Sequence, residues 1–329
     1  MTSVAQYRPF ACLALLLLAG CQQNQAAPPA PQQPAPAPAT AKAEPVGPAL
    51  HVDGARAMQY TREIVAFGPR WDGSKGQEKL GQYLHAKLAQ DGYEEDKFIA
   101  ETPAGKIPMR NIIAKFPGAK DGIIVLGSHI DTNYPLRQTK FVGANDGACT
   151  TALLLAIADQ LRGRKLEGYS VWLAFFDGEE SVPSATPGDL TWHDADSLYG
   201  SKHLAAKWQQ DGTAKKIKAL MLADMIGDAD LDILRDANSA DWLEDLVLEA
   251  ATRLGYQSHF FAESSGVTDD HIPFARIGVP VADLIDYTYG YNNAYHHTTE
   301  DTVDKLSTKS LQISGDVFLE TIRLINAWR

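Results

Sequence analysis

The chain has 329 residues, more than one small domain needs, and carries 41 acidic against 30 basic side chains, a net charge of −11. That balance argues against a nucleic-acid partner and suits a soluble enzyme, or one that draws in cationic substrates. Only Cys149 lies beyond the first 21 residues, so the folded part can form no internal disulfide, and Cys149 itself sits in an apolar helical pattern as a small core residue.

The first twenty residues read as a signal segment. Arg8 supplies its positive charge, Leu13 to Leu18 form an apolar stretch too short to span a bilayer, and Leu18-Ala19-Gly20-Cys21 ends it. This ending resembles the bacterial lipobox, which implies lipidation of Cys21 and attachment to the membrane. Gln rather than Asp after the cysteine, by resemblance to sorted bacterial lipoproteins, implies an outer-membrane anchor facing the periplasm. The simpler alternative is a secretory signal with an incidental cysteine. Residues 21–48 are nearly all Ala, Pro and Gln and read as a semi-extended tether. Residues 49–329 remain for one domain with a sizeable core.

Within that domain, Ala55–Phe67 has helical apolar spacing and stops at Gly68-Pro69; Gly76–Leu88 is a second amphipathic helix. Lys97–Thr102 and Asn111–Phe116 flank a Pro/Gly-rich turn and predict an antiparallel hairpin. Gly122–Ser128 is a buried parallel strand, Gly147–Leu161 a nearly all-apolar helix, and Tyr169–Phe176 the next strand. Then come a helix over Tyr199–Trp208, a strand over Ile217–Ala223, a helix over Trp242–Leu254 and a strand over Val279–Ile285. Leu306–Trp328 closes the chain as a helix with Ser307 as its cap. Strands alternating with helices predict an α/β fold: a single open mixed, mostly parallel sheet with helices on both faces.

Polar clusters fall at the carboxyl ends of these strands, where open α/β sheets bind ligands. His129-Ile130-Asp131 follows one strand, Glu179-Glu180 the next, Asp224 ends a third, and His296-His297 sits in the loop after the fourth; Asp146 opens the apolar helix. Singly, each has an ordinary explanation. His129 is a hydrogen-bonded strand-end residue, Asp146 a helix cap, Asp224 a backbone acceptor, Glu179-Glu180 a solvated pair, and His297 part of a polar turn. Together, on one sheet edge, carboxylates and imidazoles without thiolate suit a catalytic zinc. The adjacent glutamates point different ways, so one can hold the metal while the other handles a proton.

The order His-x-Asp, Gly-Ala-x-Asp, Glu-Glu, Asp, His-Thr-x-x-Asp resembles the zinc aminopeptidases and their relatives, the animal-type glutaminyl-peptide cyclotransferases, from about Ala55 to the end. Three longer strings resemble the cyclases in particular: 141–146, Phe-Val-Gly-Ala-Asn-Asp; 196–205, from Asp196 to Ala205; and Asp269-Asp270-His271-Ile272-Pro273-Phe274 with 278–281 after it. The resemblance implies a zinc aminopeptidase-like fold. It implies a single zinc held by Asp146, Glu180 and His297, with Glu179 as proton shuttle and Asp224 and Asp269 hydrogen-bonded around it. By resemblance to two-metal aminopeptidases, His129 and Asp224 would complete a second site bridged by Asp146, and Asp131 would orient His129. Trp192, His296 and Phe274 are expected in the substrate pocket. His296 stands where animal cyclases carry Trp, and the loop before it is longer, with Tyr287, Tyr289, Tyr291 and Tyr295.

The implied reaction acts on peptide or protein N-termini. The α-amine of an N-terminal glutamine attacks its own γ-amide carbonyl, giving pyroglutamate and ammonia. No water is consumed, so one metal suffices. The alternative is a periplasmic zinc aminopeptidase, whose water nucleophile a metal pair commonly activates. A non-catalytic lipoprotein on the same fold is disfavoured, because Glu179 beside a ligand has no evident structural need.

Overall fold

The computed structural model describes residues 49–328; the signal segment, Cys21 and the Ala/Pro/Gln-rich tether lie outside the described residues. Helix α1 (Gly54–Val65) starts where the Asp53 carboxylate accepts the Arg56 backbone N–H at 3.0 Å, and α2 (Lys75–Leu88) where the Ser74 hydroxyl accepts that of Gln77 at 3.0 Å. Along α2, Leu80, Leu84 and Leu88 recur every fourth residue and form one buried stripe. Strands β1 (Glu94–Thr102) and β2 (Gly105–Phe116) make the predicted hairpin, with a turn of only Pro103 and Ala104. Pro108 is tolerated inside β2 because that strand gains its second neighbour only from Ile112 onward.

The central sheet has six strands in the order β1-β2-β4-β3-β5-β8, with β3 at Gly118–His129, β4 at Leu166–Phe176, β5 at Ile217–Asp224 and β8 at Val281–Ile285. The last four are mutually parallel and β2 runs antiparallel to β4, so the sheet is mixed and mostly parallel, as expected. Side chains alternate between two cores. Ile124, Leu126, Leu173, Phe175, Met221 and Ala223 enter one; Ile123, Val125, Ala174, Phe176, Leu220 and Leu222 enter the other. The first core is covered by α1, α2, α3 (Thr150–Leu161), α5 (Asp241–Leu254) and α7 (Thr308–Ala327), the second by α4 (Tyr199–Asp211) and α6 (His271–Arg276). From β3 the chain passes through α3 to β4 on one side, then through α4 on the opposite face to β5 on the other side of β3. That reversal opens a crevice at the carboxyl end of β3.

Three features depart from the sequence expectation. The helix expected from Gly147 does not begin there: Asp146 (φ −84°, ψ 91°) and Gly147 (φ 87°, ψ −33°) break a wide turn over Ala144–Cys149 before α3 starts. A small parallel pair, β6 (Ile233–Asp236) and β7 (Phe260–Ser265), was not anticipated; β6 is four residues long and β7 is mostly exposed, so neither has a readable period. The short helix α6 also escaped, because its third residue is Pro273. Ser307 caps α7 as expected, its hydroxyl accepting the Lys309 N–H at 3.1 Å.

Candidate active site

At the carboxyl edge, His129, Glu179, Glu180, Asp224, Asp269, Asp146 and His297 converge from six different segments of chain. Asp146 is the hub. Its Oδ1 lies 3.2 Å from His129 Nε2 and its Oδ2 3.4 Å from His297 Nε2. His129 Nε2 is also 3.4 Å from Asp224 Oδ1, and His297 Nε2 is 3.2 Å from Glu180 Oε2. The two groupings implied by the sequence order, Asp146–Glu180–His297 and His129–Asp146–Asp224, therefore share one carboxylate. Asp146 makes no capping bond to the turn it sits in, so its reading as a helix cap does not hold.

Two buried aspartates fix the segments that carry these groups. The Asp131 carboxylate accepts the backbone N–H groups of Glu179 and Glu180 at 3.2 and 3.1 Å, one on each oxygen. Its Oδ1 is also 3.6 Å from His129 Nδ1, so the same carboxylate that holds the glutamate loop faces the histidine ring. Asp301 repeats the device: its two oxygens accept the N–H groups of Asn145 and Asp146 at 2.8 and 3.2 Å. The sequence reading gave Asp301 no role beyond its place in the His-Thr-x-x-Asp string. Asn133, also missed, donates to Glu180 Oε2 at 2.8 Å, and its amide nitrogen is 3.4 Å from the His297 ring nitrogens.

Backbone geometry is tight here. A Cβ on Gly147 would fall 2.8 Å from the Asp131 carbonyl oxygen and 3.0 Å from His129 Cε1, so the residue after Asp146 must be glycine both for space and for its positive φ. His297 and Met225 hold left-handed φ values of 52° and 48°, a conformation non-glycine residues seldom adopt away from functional sites. Behind the turn, the fully buried Arg70 guanidinium donates to the carbonyls of Ile130, Val142 and Gly143 and sets a positive charge near Asp131, Asp146 and Asp301.

The electrostatics follow from packing so many carboxylates together. Burial, then Asp269, pushes the Glu179 carboxyl well above its ordinary range. Burial, then Asp224 and Asp270, does the same to Asp269. Glu180 is raised by burial, with the neighbouring Asp146 charge adding to it. Burial alone would lower His297, but Glu180 and Asp146 lift it to about 9. His296, half-buried and beside His297, is lowered to about 4 by desolvation and then by the His297 charge. Glu179 Oε2 is 3.9 Å from His129 Nδ1.

The donor chemistry fits a divalent cation. Both nitrogens of His129, together with Asp146 Oδ2, Glu180 Oε1, Asp224 Oδ1 and Asp269 Oδ2, are buried atoms with no hydrogen-bond partner. Such concentration of unsatisfied polar atoms is costly unless an ion or ligand meets them. One ligand atom from each of His129, Asp146 and Asp224 lies within 4.8 Å of the others, and the same is true of Asp146, His296 and His297. Imidazole and carboxylate without thiolate suit zinc.

The groups open into a cleft of about 480 Å³, enough for a short peptide terminus. Its wall includes Asn133, Leu190, Trp192, Val267, Tyr287 and His296. Trp192 and His296, expected in the substrate pocket, are thus both on the wall of this cleft. Phe274 is not: it is fully buried in the second core against Phe176 and Trp208, at ring distances of 5.7 and 5.6 Å, because α6 turns it under the sheet. Of the loop tyrosines only Tyr287 lines the cleft; Tyr289 is buried and donates its hydroxyl to Asp301 at 2.8 Å.

Fold and site define an α/β protein of zinc aminopeptidase-like architecture, with a site suited to a metal at the sheet's carboxyl edge. The chain belongs to peptidase family M28, whose model matches residues 111–322. Within it, the chain is 30% identical over 275 residues to a glutaminyl-peptide cyclotransferase of Drosophila melanogaster, covering 74% of this chain and 75% of that one. Among solved structures it is similar to an Acidobacteriales bacterium glutaminyl cyclase, at 50% identity and a TM-score of 0.80, covering 87% of this chain and 99% of that one. It is also similar to a Zn-dependent exopeptidase from Parabacteroides distasonis, at 25% identity and a TM-score of 0.71, covering 84% and 99%.

Proposed function

We propose that this protein is a glutaminyl-peptide cyclotransferase that converts the N-terminal glutamine of peptides or proteins to pyroglutamate and releases ammonia. The observation that carries the reading is the division between adjacent glutamates. Both line the cleft and both backbones are held by Asp131, but the Glu180 carboxylate meets His297 and Asn133, whereas that of Glu179 lies near Asp269 and 3.9 Å from His129 Nδ1. The likeness to bacterial and insect cyclases supports it.

Asp146, Glu180 and His297 would hold one zinc ion. When bound, the zinc supplies Lewis-acid polarisation of the γ-amide carbonyl and stabilises charge on its oxygen. The α-nitrogen bonds to the γ-carbon, and the bond from that carbon to the amide nitrogen breaks. Glu179 takes the proton from the α-amine and returns it to the departing nitrogen, so no proton is gained or lost overall. The proton affinity that burial and Asp269 give Glu179 suits it to act as the base. Asp224 and Asp269 line the cleft with it, and Trp192, Tyr287 and His296 form part of the wall against which the substrate would lie. Attachment to the bacterial envelope through a lipid on Cys21 belongs to the same reading.

A second reading is a zinc aminopeptidase. The approach of His129, Asp146 and Asp224 favours it, because these would hold a second metal. The test is mature protein assayed on Gln-aminoacyl and Leu-aminoacyl fluorophores, with and without chelator. Cyclisation of the first substrate, abolished by chelator, is the expected result; cleavage of the second alone would overturn it.

A further inference from the structure

Below the cleft lies a second cluster of ionisable side chains that the reaction does not use: Asp236 at the end of β6, His271 opening α6 and Asp283 on β8. Each is at most 1% exposed. His271 stands between the two carboxylates, its Nε2 3.1 Å from Asp236 Oδ2 and its Nδ1 3.6 Å from Asp283 Oδ2. Asp236 also reaches the other end of the same loop, since its Oδ1 accepts the Val267 N–H at 2.9 Å. Ser239 ties the cluster to the sheet, donating its hydroxyl to Asp236 Oδ2 at 2.7 Å and accepting the Asp283 N–H at 2.9 Å. Asn238 secures Val267 further through its carbonyl, at 2.7 Å.

Asp236 thus grips both ends of the segment from Val267 to His271, and of the three residues between, Thr268 and Asp269 wall the cleft together with Val267, while Asp270 is buried. We infer that His271, clamped between Asp236 and Asp283, is a positioning residue that sets Asp269 against Glu179 during catalysis. One ligand atom from each of the three residues lies within 4.8 Å of the others, the spacing of a metal site, so loss of a zinc equivalent with His271 is the outcome that would assign the cluster to an ion instead.

The inference rests on the cyclase reading for the role of Asp269, and the experiment separates the two. Zinc-loaded wild type, His271→Gln, His271→Leu and Asp283→Asn are compared for kcat, KM, zinc content and Tm. A displaced catalytic group costs about 10- to 100-fold in rate when it shifts by roughly an ångström. The expected result is a fall of that size in kcat for His271→Leu and Asp283→Asn, with KM and zinc content within about twofold of wild type. His271→Gln, whose amide can still donate to Asp236, should retain more kcat than His271→Leu. Unchanged kcat with a lowered Tm, loss of a zinc equivalent, or failure of all three variants to fold would each overturn the inference. If wild type turns over only the Leu substrate, the cyclase reading fails, and the same variants assayed on that substrate still decide the positioning.

Discussion

Replacing Asp131 with Asn is the sharpest test of how the site is held. The two carboxylate oxygens accept the N–H groups of Glu179 and Glu180 at 3.2 and 3.1 Å, and Asp131 itself is fully buried. Asparagine keeps one acceptor oxygen and presents an NH2 group where the other was, so one buried N–H loses its partner and faces a donor. A hydrogen bond to a charged group is worth about 1.5–3 kcal/mol, and an orphaned buried donor adds about 1–3 kcal/mol. Relief of one buried negative charge among many offsets part of this, leaving a net loss of about 2–4 kcal/mol. For a domain of this size that corresponds to a Tm lower by about 3–7 °C. Calorimetry should be run on chelated protein, so that metal binding does not enter. Because the same bonds aim both glutamates, kcat of the zinc-loaded variant should fall by about 10²-fold. A Tm within about 1 °C of wild type, together with kcat within about twofold, would refute the claim that Asp131 fixes the glutamate loop.

Glu179→Gln should lose about 10²–10⁴ in kcat with zinc content intact, while Glu180→Gln should lose zinc itself; equal metal loss in both, measured by elemental analysis, would reverse the assignment. Elemental analysis of wild type after mild dialysis should give about one zinc per chain, and two firmly held ions would favour the aminopeptidase reading. Mass spectrometry of a Gln-Phe dipeptide should show loss of ammonia with the peptide bond intact. Cys21→Ala should move the protein from the membrane to the soluble fraction, and unchanged fractionation would sink the lipid anchor.

What the sequence revealed and what it hid divide along a physical line. Buried parallel strands such as β3 and β4 announce themselves as apolar runs, and the polar residues that end them are displaced from the core by nothing more than chain direction. His129, Glu179, Glu180 and Asp224 were therefore legible as a group before any contact was known. Asp301, Asn133, Arg70 and the Asp236–His271–Asp283 cluster were not, because their roles lie in partners 12 to 156 residues away, from Asp283 for His271 to Asn145 for Asp301. No local period encodes such pairings. Phe274 was misplaced for a related reason: an aromatic residue in a cyclase-like string can point into the cleft or under the sheet, and only the packing of α6 against Phe176 and Trp208 decides.

The same line explains how loops achieve the accuracy that catalysis demands. Glu179, Glu180, Asp146 and His297 all lie on loops or turns, which are ordinarily the most variable parts of a fold. Here the loops are stiffened from beneath. Asp131 and Asp301 each accept two successive backbone N–H groups, so each fixes a peptide plane as well as a position. Acceptance of a backbone N–H leaves a side chain's own functional atoms free, which is why Glu180 Oε1 and Asp146 Oδ2 remain without partners while their backbone N–H groups are held. Met225 and His297 are two of the six described non-glycine residues with a left-handed φ, and both lie at this site. A site assembled this way holds its unsatisfied atoms in place before any ion or substrate arrives, and the stability lost to those atoms is the condition for binding one.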